Sequence, residues 1–287
     1  MNPSDIISDW KKRRGVLATM HHKDIMISPI LEQELGIDIM VPTNFNTDLY
    51  GTFTRDIARA GNQLEAARQK SLAAMALTGL DLAVASEGSF GAHPSLPFLA
   101  SNLEIVLLLD KKNEIEVVGH FRSSAIQAQG KSVSSAKEAV ALAQSWGFPD
   151  QGVIVRLSEN SNKDIHKEIR TFDELKSICE KLLSSWFTKS IFIETDMRAH
   201  RCPSRMNSIK EATVDLVKNC RSLCPQCNVP GFVITKVMAG LPCSYCGLPT
   251  DLAKELQYSC KKCGFGETRK IEGVLAADPG QCEQCNP

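Results

Sequence analysis

Eight of the chain's eleven cysteines fall into four CxxC pairs: Cys224 with Cys227, Cys243 with Cys246, Cys260 with Cys263, and Cys282 with Cys285. A CxxC turn sets two thiolates on one side of a tight knuckle, and two knuckles complete a tetrahedral shell with metal–sulfur bonds of about 2.3 Å. Gly247 and Gly264, each directly after a knuckle, permit the tight backbone such turns need. The pattern predicts two structural Zn²⁺ ions, each held by four thiolates. Pairing in sequence order leaves 15 residues between Cys227 and Cys243 and 18 between Cys263 and Cys282, both within the usual zinc-ribbon spacing. Sequential pairing is preferred on that ground, with cross-braced and nested arrangements left open. Iron–sulfur ligation and a redox CxxC are the competing chemistries, and neither needs four evenly distributed knuckles. Of the remaining cysteines, Cys179 lies among apolar residues and reads as a small buried hydrophobe.

Three polar blocks carry the other candidate chemistry. The first is Thr19, Met20, His21, His22 and Lys23, where Lys23 and nearby amides can meet a phosphate at a helix N-terminus. The second runs Ser86, Glu87, Gly88, Ser89, Phe90, Gly91, Ala92, His93 after the apolar run Leu80 to Ala85, and is expected to leave regular structure. Glu87 there offers oxygen ligands suited to Mg²⁺. Ser86, Ser89 and His93 add hydroxyl and imidazole groups. The third block, Glu194, Thr195, Asp196, Met197, Arg198, Ala199, His200, Arg201, with Arg205 shortly after, joins two carboxylates to three arginines. Such a concentration suits a metal-bound phosphate or an anionic substrate. Glu87, Asp196 and Glu194 are the candidate catalytic carboxylates. Glu65 and Lys70, on a long helix, are expected at the same mouth. For each block the plain structural alternative is an exposed turn, a loop chosen for its backbone, or a salt-bridge cluster.

The elements that must position these blocks follow from periodicity. Val16 to Thr19 and Ile37 to Val41 read as strands, with Ser28, Pro29 and Gly36 bracketing a helix between them as N-cap, first residue and C-terminal stop. Ile57, Ala60, Leu64, Ala67, Leu72 and Met75 recur at helical spacing before Gly79. Leu103 to Leu109 and Ile115 to Phe121 form a hairpin through Asp110 to Asn113. Helix then alternates with strand: 134–146 helix, 153–157 strand, 172–186 helix, 190–193 strand, 204–220 helix. The result is an α/β domain with a mixed sheet over residues 1–221, followed by a double zinc-ribbon module over 222–287. The tail is too short to bury much apolar surface, so metal should supply much of its folding free energy.

Lysine plus arginine and aspartate plus glutamate both number 33, which excludes a global electrostatic pull toward nucleic acid or anionic membrane. No apolar run has the roughly 18 to 20 residues of a membrane span, and Met1 to Arg14 lack the apolar core of a secretion signal. A cytoplasmic location is expected, where thiols serve as metal ligands more often than as disulfides.

The SEGSFG block, the DMRAH block and the CxxC-rich tail together resemble an uncharacterised bacterial family of unknown function. More distantly, the first domain is similar to the inosine/xanthosine triphosphate pyrophosphatase superfamily. That family carries TxNxxK after a strand, and TMHHK is similar, with Thr19 at its threonine, His21 in place of the asparagine, and Lys23 one position short of its lysine. Glu65 and Lys70 match its acidic residue and lysine, and Glu87 matches its metal-binding turn, with Gly88 where a second acid is usual. His200 and Arg201, or Arg205, match the histidine and arginine that bind the base. The resemblance implies Mg²⁺-dependent hydrolysis of a nucleotide or related phosphorylated ligand. The alternative is a nucleic-acid- or protein-binding zinc module without catalysis, with Lys254, Lys261, Lys262, Arg269 and Lys270 as cations and Tyr245, Tyr258 and Phe265 as stacking rings.

Overall fold

A computed structural model of the chain describes residues 4–11, 13–20, 22–46, 62–125, 128–161 and 163–286. The first part is α/β with a mixed five-stranded sheet, as expected. Its strands β1 (Arg14–Ala18), β2 (Asp38–Met40), β3 (Leu82–His93), β4 (Leu96–Asp110) and β5 (Ile115–Ser123) lie in the order β2-β1-β3-β4-β5. β2 and β3 flank β1 in parallel, whereas β3, β4 and β5 pair antiparallel. Alternation sets the two faces. Leu17, Leu82, Val84, Val106, Leu108 and Val117 face helices α2 (Asp24–Leu35) and α6 (Pro203–Arg221), joined by Trp10 of α1 (Ser4–Trp10). Val16, Ala18, Ala83, Ala85, Ile105 and Leu107 face helix α3 (Gln63–Thr78) instead.

A second, three-stranded antiparallel sheet is built from β6 (Gly130–Val133), β7 (Val153–Arg156) and β8 (Ile191–Thr195), in the order β6-β8-β7. Val133, Val153, Val155, Ile191 and Ile193 bury one of its faces against α4 (Ala136–Ser145) and α5 (Phe172–Leu183). The chain leaves this sheet at Thr195, makes a 3₁₀ turn at Ala199–Arg201, and returns to the first sheet as α6. The third polar block is therefore the bridge between the two sheets.

Helix ends follow local chemistry. Asn62 and Glu65 form a reciprocal capping box on α3, Ser135 caps α4 and Thr171 caps α5. Gly36 and Gly79 close α2 and α3 in left-handed conformation, with φ of 69° and 73°. The start of α2 corrects the sequence reading. The helix begins at Asp24, so Ser28 is not its cap and Pro29 lies inside it. The proline costs the amide that would bond Ile25, an exposed residue whose carbonyl water can serve. The described part of the next helix starts at Gln63, and Ile57 and Ala60 lie outside the described residues.

The tail forms a three-stranded antiparallel sheet, β9 (Val233–Ala239), β10 (Ala253–Ser259) and β11 (Gly266–Lys270), in the order β11-β10-β9. Among the described residues no helix is long and apolar enough to cross a membrane.

Candidate functional site

The cysteines assemble into two groups, Cys224, Cys227, Cys260 and Cys263, and Cys243, Cys246, Cys282 and Cys285. This corrects the sequential pairing: the module is cross-braced. Strand direction explains why. β9 and β10 are antiparallel, with Val233 opposite Ser259, so the knuckle before β9 and the knuckle after β10 share one end of the sheet. The second knuckle lies at the other end, roughly 20 Å away along seven-residue strands. β11 runs back from Gly266 opposite Ser259 to Lys270 opposite Glu255, which returns the fourth knuckle to the second. Spacing in sequence cannot distinguish this from adjacent ribbons; the order of the antiparallel strands decides it.

The sulfurs fit a metal ion. Sγ–Sγ separations are 3.7 Å for Cys224–Cys263, 3.6 Å for Cys227–Cys260, 3.8 Å for Cys243–Cys285 and 3.6 Å for Cys246–Cys282. A tetrahedron with 2.3 Å bonds has edges of about 3.8 Å. A disulfide would bring sulfurs to about 2.05 Å. Each group can therefore hold a metal ion such as zinc. Burial pushes the Cys224 thiol up, but the amides of Cys227 and Gln226 and the Cys263 thiol outweigh it and bring it down to about 7. The amides of Cys246 and Tyr245 do the same for Cys243, also to about 7. The backbone amides favour the thiolate at these two positions, whereas burial pushes Cys227 up and the neighbouring Cys246 thiol pushes Cys285 up, both to about 12.

The second cluster lies in the first sheet. β1 connects to β2 across one face and β2 to β3 across the other, so the chain reverses its winding between β1 and β3. In open α/β sheets ligands sit at such a switch point, beyond the carboxyl ends of the strands. Here the β1–α2 loop delivers Lys23, whose buried amine donates to Ser86 Oγ at 3.0 Å and to the Ser86 carbonyl at 3.3 Å. α3 delivers Lys70, buried and ion-paired to the buried Glu87. From α3 also, Gln63 Nε2 donates to the carbonyls of Glu87 and Leu103, both at 2.8 Å, and Gln63 Oε1 accepts from Ser89 Oγ at 3.1 Å. α6 delivers Arg205, whose Nε donates to Glu104 Oε1 at 2.6 Å. Burial above all, and then the Arg205 and Lys70 cations, push the Lys23 amine down to about 8 against the pull of Glu87 and Glu104.

The second polar block does not leave regular structure as expected. Ser86 to His93 continue β3, paired to β4 along their length. The two glycines fit that strand rather than a turn. At Gly88 a Cβ would stand 2.4 Å from Glu104 Oε1 and 2.6 Å from Arg205 Nη2, so only glycine admits this ion pair. Glu104 is the functional candidate that the sequence reading missed. It sits opposite Gly88 on β4 and is fully buried. A lone carboxylate at the head of the apolar run LEIVLLL was the available signal.

The remaining candidates divide. Thr19 is buried and lines, with His22 and Asp24, a cleft of about 680 Å³ beside the post-β2 segment. His21 lies outside the described residues. Glu65 does not reach the cluster with a free carboxylate, because it accepts from the Asn62 amide at 2.7 Å in the capping box. His93 is six residues beyond Glu87 on an extended strand, roughly 20 Å away.

The third block forms its own network. Asp196 is buried and accepts from Arg198 Nε and Nη2 at 3.0 Å and 2.6 Å. Glu168, from the loop before α5, accepts from Arg198 at 2.9 Å and meets His200 Nε2 at 2.8 Å. The rings of His200 and His22 stand edge-on at 6.3 Å, which links this network to the β1–α2 loop. Glu194 pairs with Arg156, and Arg201 donates to the Ile169 carbonyl. Glu194, Asp196 and Arg198 line a cavity of about 420 Å³ with Phe90, Ile154 and Phe192. So two buried ion pairs flank β3, Lys70–Glu87 with Gln63 and Ser89 on the α3 face and Arg205–Glu104 on the α6 face, with Lys23 at Ser86 within electrostatic reach of both, while Glu194, Asp196, Arg198, His200 and Arg201 belong to an adjoining arginine–carboxylate network.

No curated protein and no solved structure matches the chain. Residues 70–287 match one family, a span that begins at Lys70 and takes in Glu87, Glu104, Arg205 and all four knuckles. The span covers most of the chain, although Lys23 and Gln63 precede it, and the chain belongs to the family described as "Domain of unknown function (DUF6671)".

Proposed function

We propose that the first domain, residues 1–221, is a metal-dependent hydrolase of a nucleotide or related phosphorylated ligand, and that residues 222–287 are a structural zinc module. The observation that carries the reading is the burial of three cations, Lys23, Lys70 and Arg205, and two carboxylates about β3 at the switch point of the sheet, with the Lys23 amine in the field of the other four groups. Burying five charged groups is costly, and packing alone is served as well or better by apolar side chains. An anionic ligand supplies the reason to keep them. Lys23, at the N-cap position of α2, and Arg205, near the start of α6, would hold phosphate oxygens. Glu87, on the α3 face of β3, would present an oxygen to Mg²⁺, and Glu104, on the α6 face, holds Arg205 in position. When bound, Mg²⁺ would neutralise phosphate charge and lower the pKa of a bound water. Asp196 and Glu194 hold Arg198 and Arg156 in position.

Nucleic-acid binding by the module gains less support. Lys261 pairs with Glu116 at 3.2 Å, Lys262 with Glu114 at 2.6 Å, and Arg269 with Glu267 at 3.0 Å. Tyr258 and Phe265 pack on Phe232, which leaves Tyr245, 84% exposed, as the accessible ring among the three candidates.

The test is a panel of nucleoside mono-, di- and triphosphates, canonical and deaminated, with inorganic pyrophosphate, incubated with the metal-loaded protein and Mg²⁺. Phosphate or pyrophosphate release that is lost in Glu87→Gln, with tryptophan fluorescence showing the variant folded at the assay temperature, is the expected result. A flat panel removes the hydrolase reading.

A further inference from the structure

The two metal groups are not equivalent. The proximal one, Cys224, Cys227, Cys260 and Cys263, meets the first domain on both of its knuckles. After the first knuckle, Asn228 turns with φ of 57°, Val229 packs on the first domain's core, and the Gly231 amide donates to the Asn219 carbonyl at 3.1 Å. A Cβ on Gly231 would lie 3.3 Å from Val117. From the third knuckle, Lys261 reaches Glu116 and Lys262 reaches Glu114 and the Asn113 carbonyl. All these targets lie on β5, its leading turn, or the helix packed on it, and β5 is an edge of the five-stranded sheet. Glu116 is in turn gripped by Arg68 of α3, at 2.6 Å and 3.0 Å. α3 also carries Gln63 and Lys70, which contact the Glu87 backbone and carboxylate. Among the described residues, the hydrogen bonds of the distal group, Cys243, Cys246, Cys282 and Cys285, stay within the module.

We propose that occupancy of the proximal metal site controls the buried charge cluster, by holding two knuckles together as a clamp on β5 and, through Glu116 and Arg68, on α3. With the metal in place the two knuckles are one rigid body fixed to β5 at several points. Without it, four unlinked thiols leave Lys261 and Val229 on separate loops, and each exposed ion pair alone contributes little. α3 then loses the restraint at Arg68 and, with it, the fixed placement of Lys70 against Glu87. The distal metal has no such route. The α3 claim stands by itself; its extension to ligand affinity rests on the phosphate-site reading above.

Hydrogen exchange of the full-length protein, with both metals counted, tests the proposal without any ligand. Cys263→Ser should release the proximal metal and raise exchange of residues 63–78 by tenfold or more. Cys246→Ser should release the distal metal and leave that helix within twofold of the parent. Lys261→Ala combined with Lys262→Ala keeps all eight thiols, and should raise α3 exchange by at least threefold with both metals bound. Equal effects of the two cysteine variants, or an unchanged α3 in the lysine variant, overturn the clamp. Inorganic pyrophosphate binding, measured on the same samples, should weaken at least fivefold in Cys263→Ser. If the parent binds no pyrophosphate, the phosphate-site reading fails while the exchange result still decides the clamp.

Discussion

Lys23 is held in an environment that works against its own charge, and that is a measurable property. Its amine falls from an ordinary 10.5 to about 8, through burial first and the Arg205 and Lys70 cations second. Below pH 8 the lysine is charged in the folded and unfolded chain alike, and the folded state bears the full cost. Between pH 8 and 10.5 the folded chain gives up the proton while the unfolded chain keeps it, so this residue's contribution to stability rises with pH across that window. A shift of this size corresponds to roughly 3 kcal/mol. Lys23→Met should therefore be more stable than the parent at pH 7, by about 2 to 3 kcal/mol in urea denaturation, with the advantage shrinking toward pH 10.5. The same variant should lose phosphate-ligand binding, a trade expected of a functional site and not of a structural ion pair. A variant that is less stable at pH 7 would count against the site. Gly88→Ala probes the neighbouring constraint. Its methyl group would stand 2.4 Å from Glu104 Oε1, so the Glu104–Arg205 pair must shift. A loss of about 1 to 3 kcal/mol from overpacking, with ligand affinity falling alongside, is the expected outcome by thermal melts and calorimetry.

At the scale of elements, the antiparallel order β11-β10-β9 makes a sharp prediction about metal content. Replacing Cys224, Cys227, Cys260 and Cys263 together by serine should leave one metal ion per chain by mass spectrometry under native conditions. Adjacent ribbons would leave none, because each would have lost half its ligands. This is also where the sequence was least legible. The knuckles themselves were plain, since four CxxC pairs have few other uses, but pairing depends on which strand ends meet in space. Helices α2 to α6 and most strands of the first domain's two sheets were readable from periodicity, with Gly36 and Gly79 as local stops, whereas α1 and β9 to β11 were not. β6 and the outer half of β3 were not, because GKSV and SEGSFGAH lack the apolar alternation of strands and are defined by their partners β8 and β4. Lys23, Lys70 and Glu87 could be singled out as polar residues near predicted strand ends or on a helix. Glu104 offered only a lone carboxylate at the head of an apolar run, and its role arises from lying opposite Gly88 and under Arg205.

At the scale of the whole molecule, the two parts draw their stability from groups that titrate in different ranges, so acid should separate them. The module depends on thiolates, whose ordinary pKa is about 8.5, and protons compete with the metal for each sulfur. The first domain depends on paired carboxylates. Asp110 is fully buried; burial alone would raise its pKa, but the side chains of Arg13, Trp10 and Asn113 outweigh it and hold the carboxyl below 3.8. Glu116 is held below 4.5 by Arg68, against burial, and then by Lys261. A depressed folded-state pKa means that this stabilisation is complete above the unfolded value and is lost as the pH falls through the folded one, which lies below 3.8 for Asp110 and below 4.5 for Glu116. Metal should therefore leave first and the core of the first domain should unfold second. The three tryptophans, Trp10, Trp146 and Trp186, all precede the module, so their fluorescence reports the first domain alone. Trp10 is fully buried and donates to Asp110 at 2.7 Å, which ties its emission to the carboxylate that fails last. An acid titration followed with a chelating dye and with tryptophan emission should show metal release at higher pH than the fluorescence change. Loosening of α3 at the first step, with Trp10 still buried, is what the clamp on β5 requires. Coincidence of the two transitions would mean that the first domain has no stability of its own without the metal-bound tail.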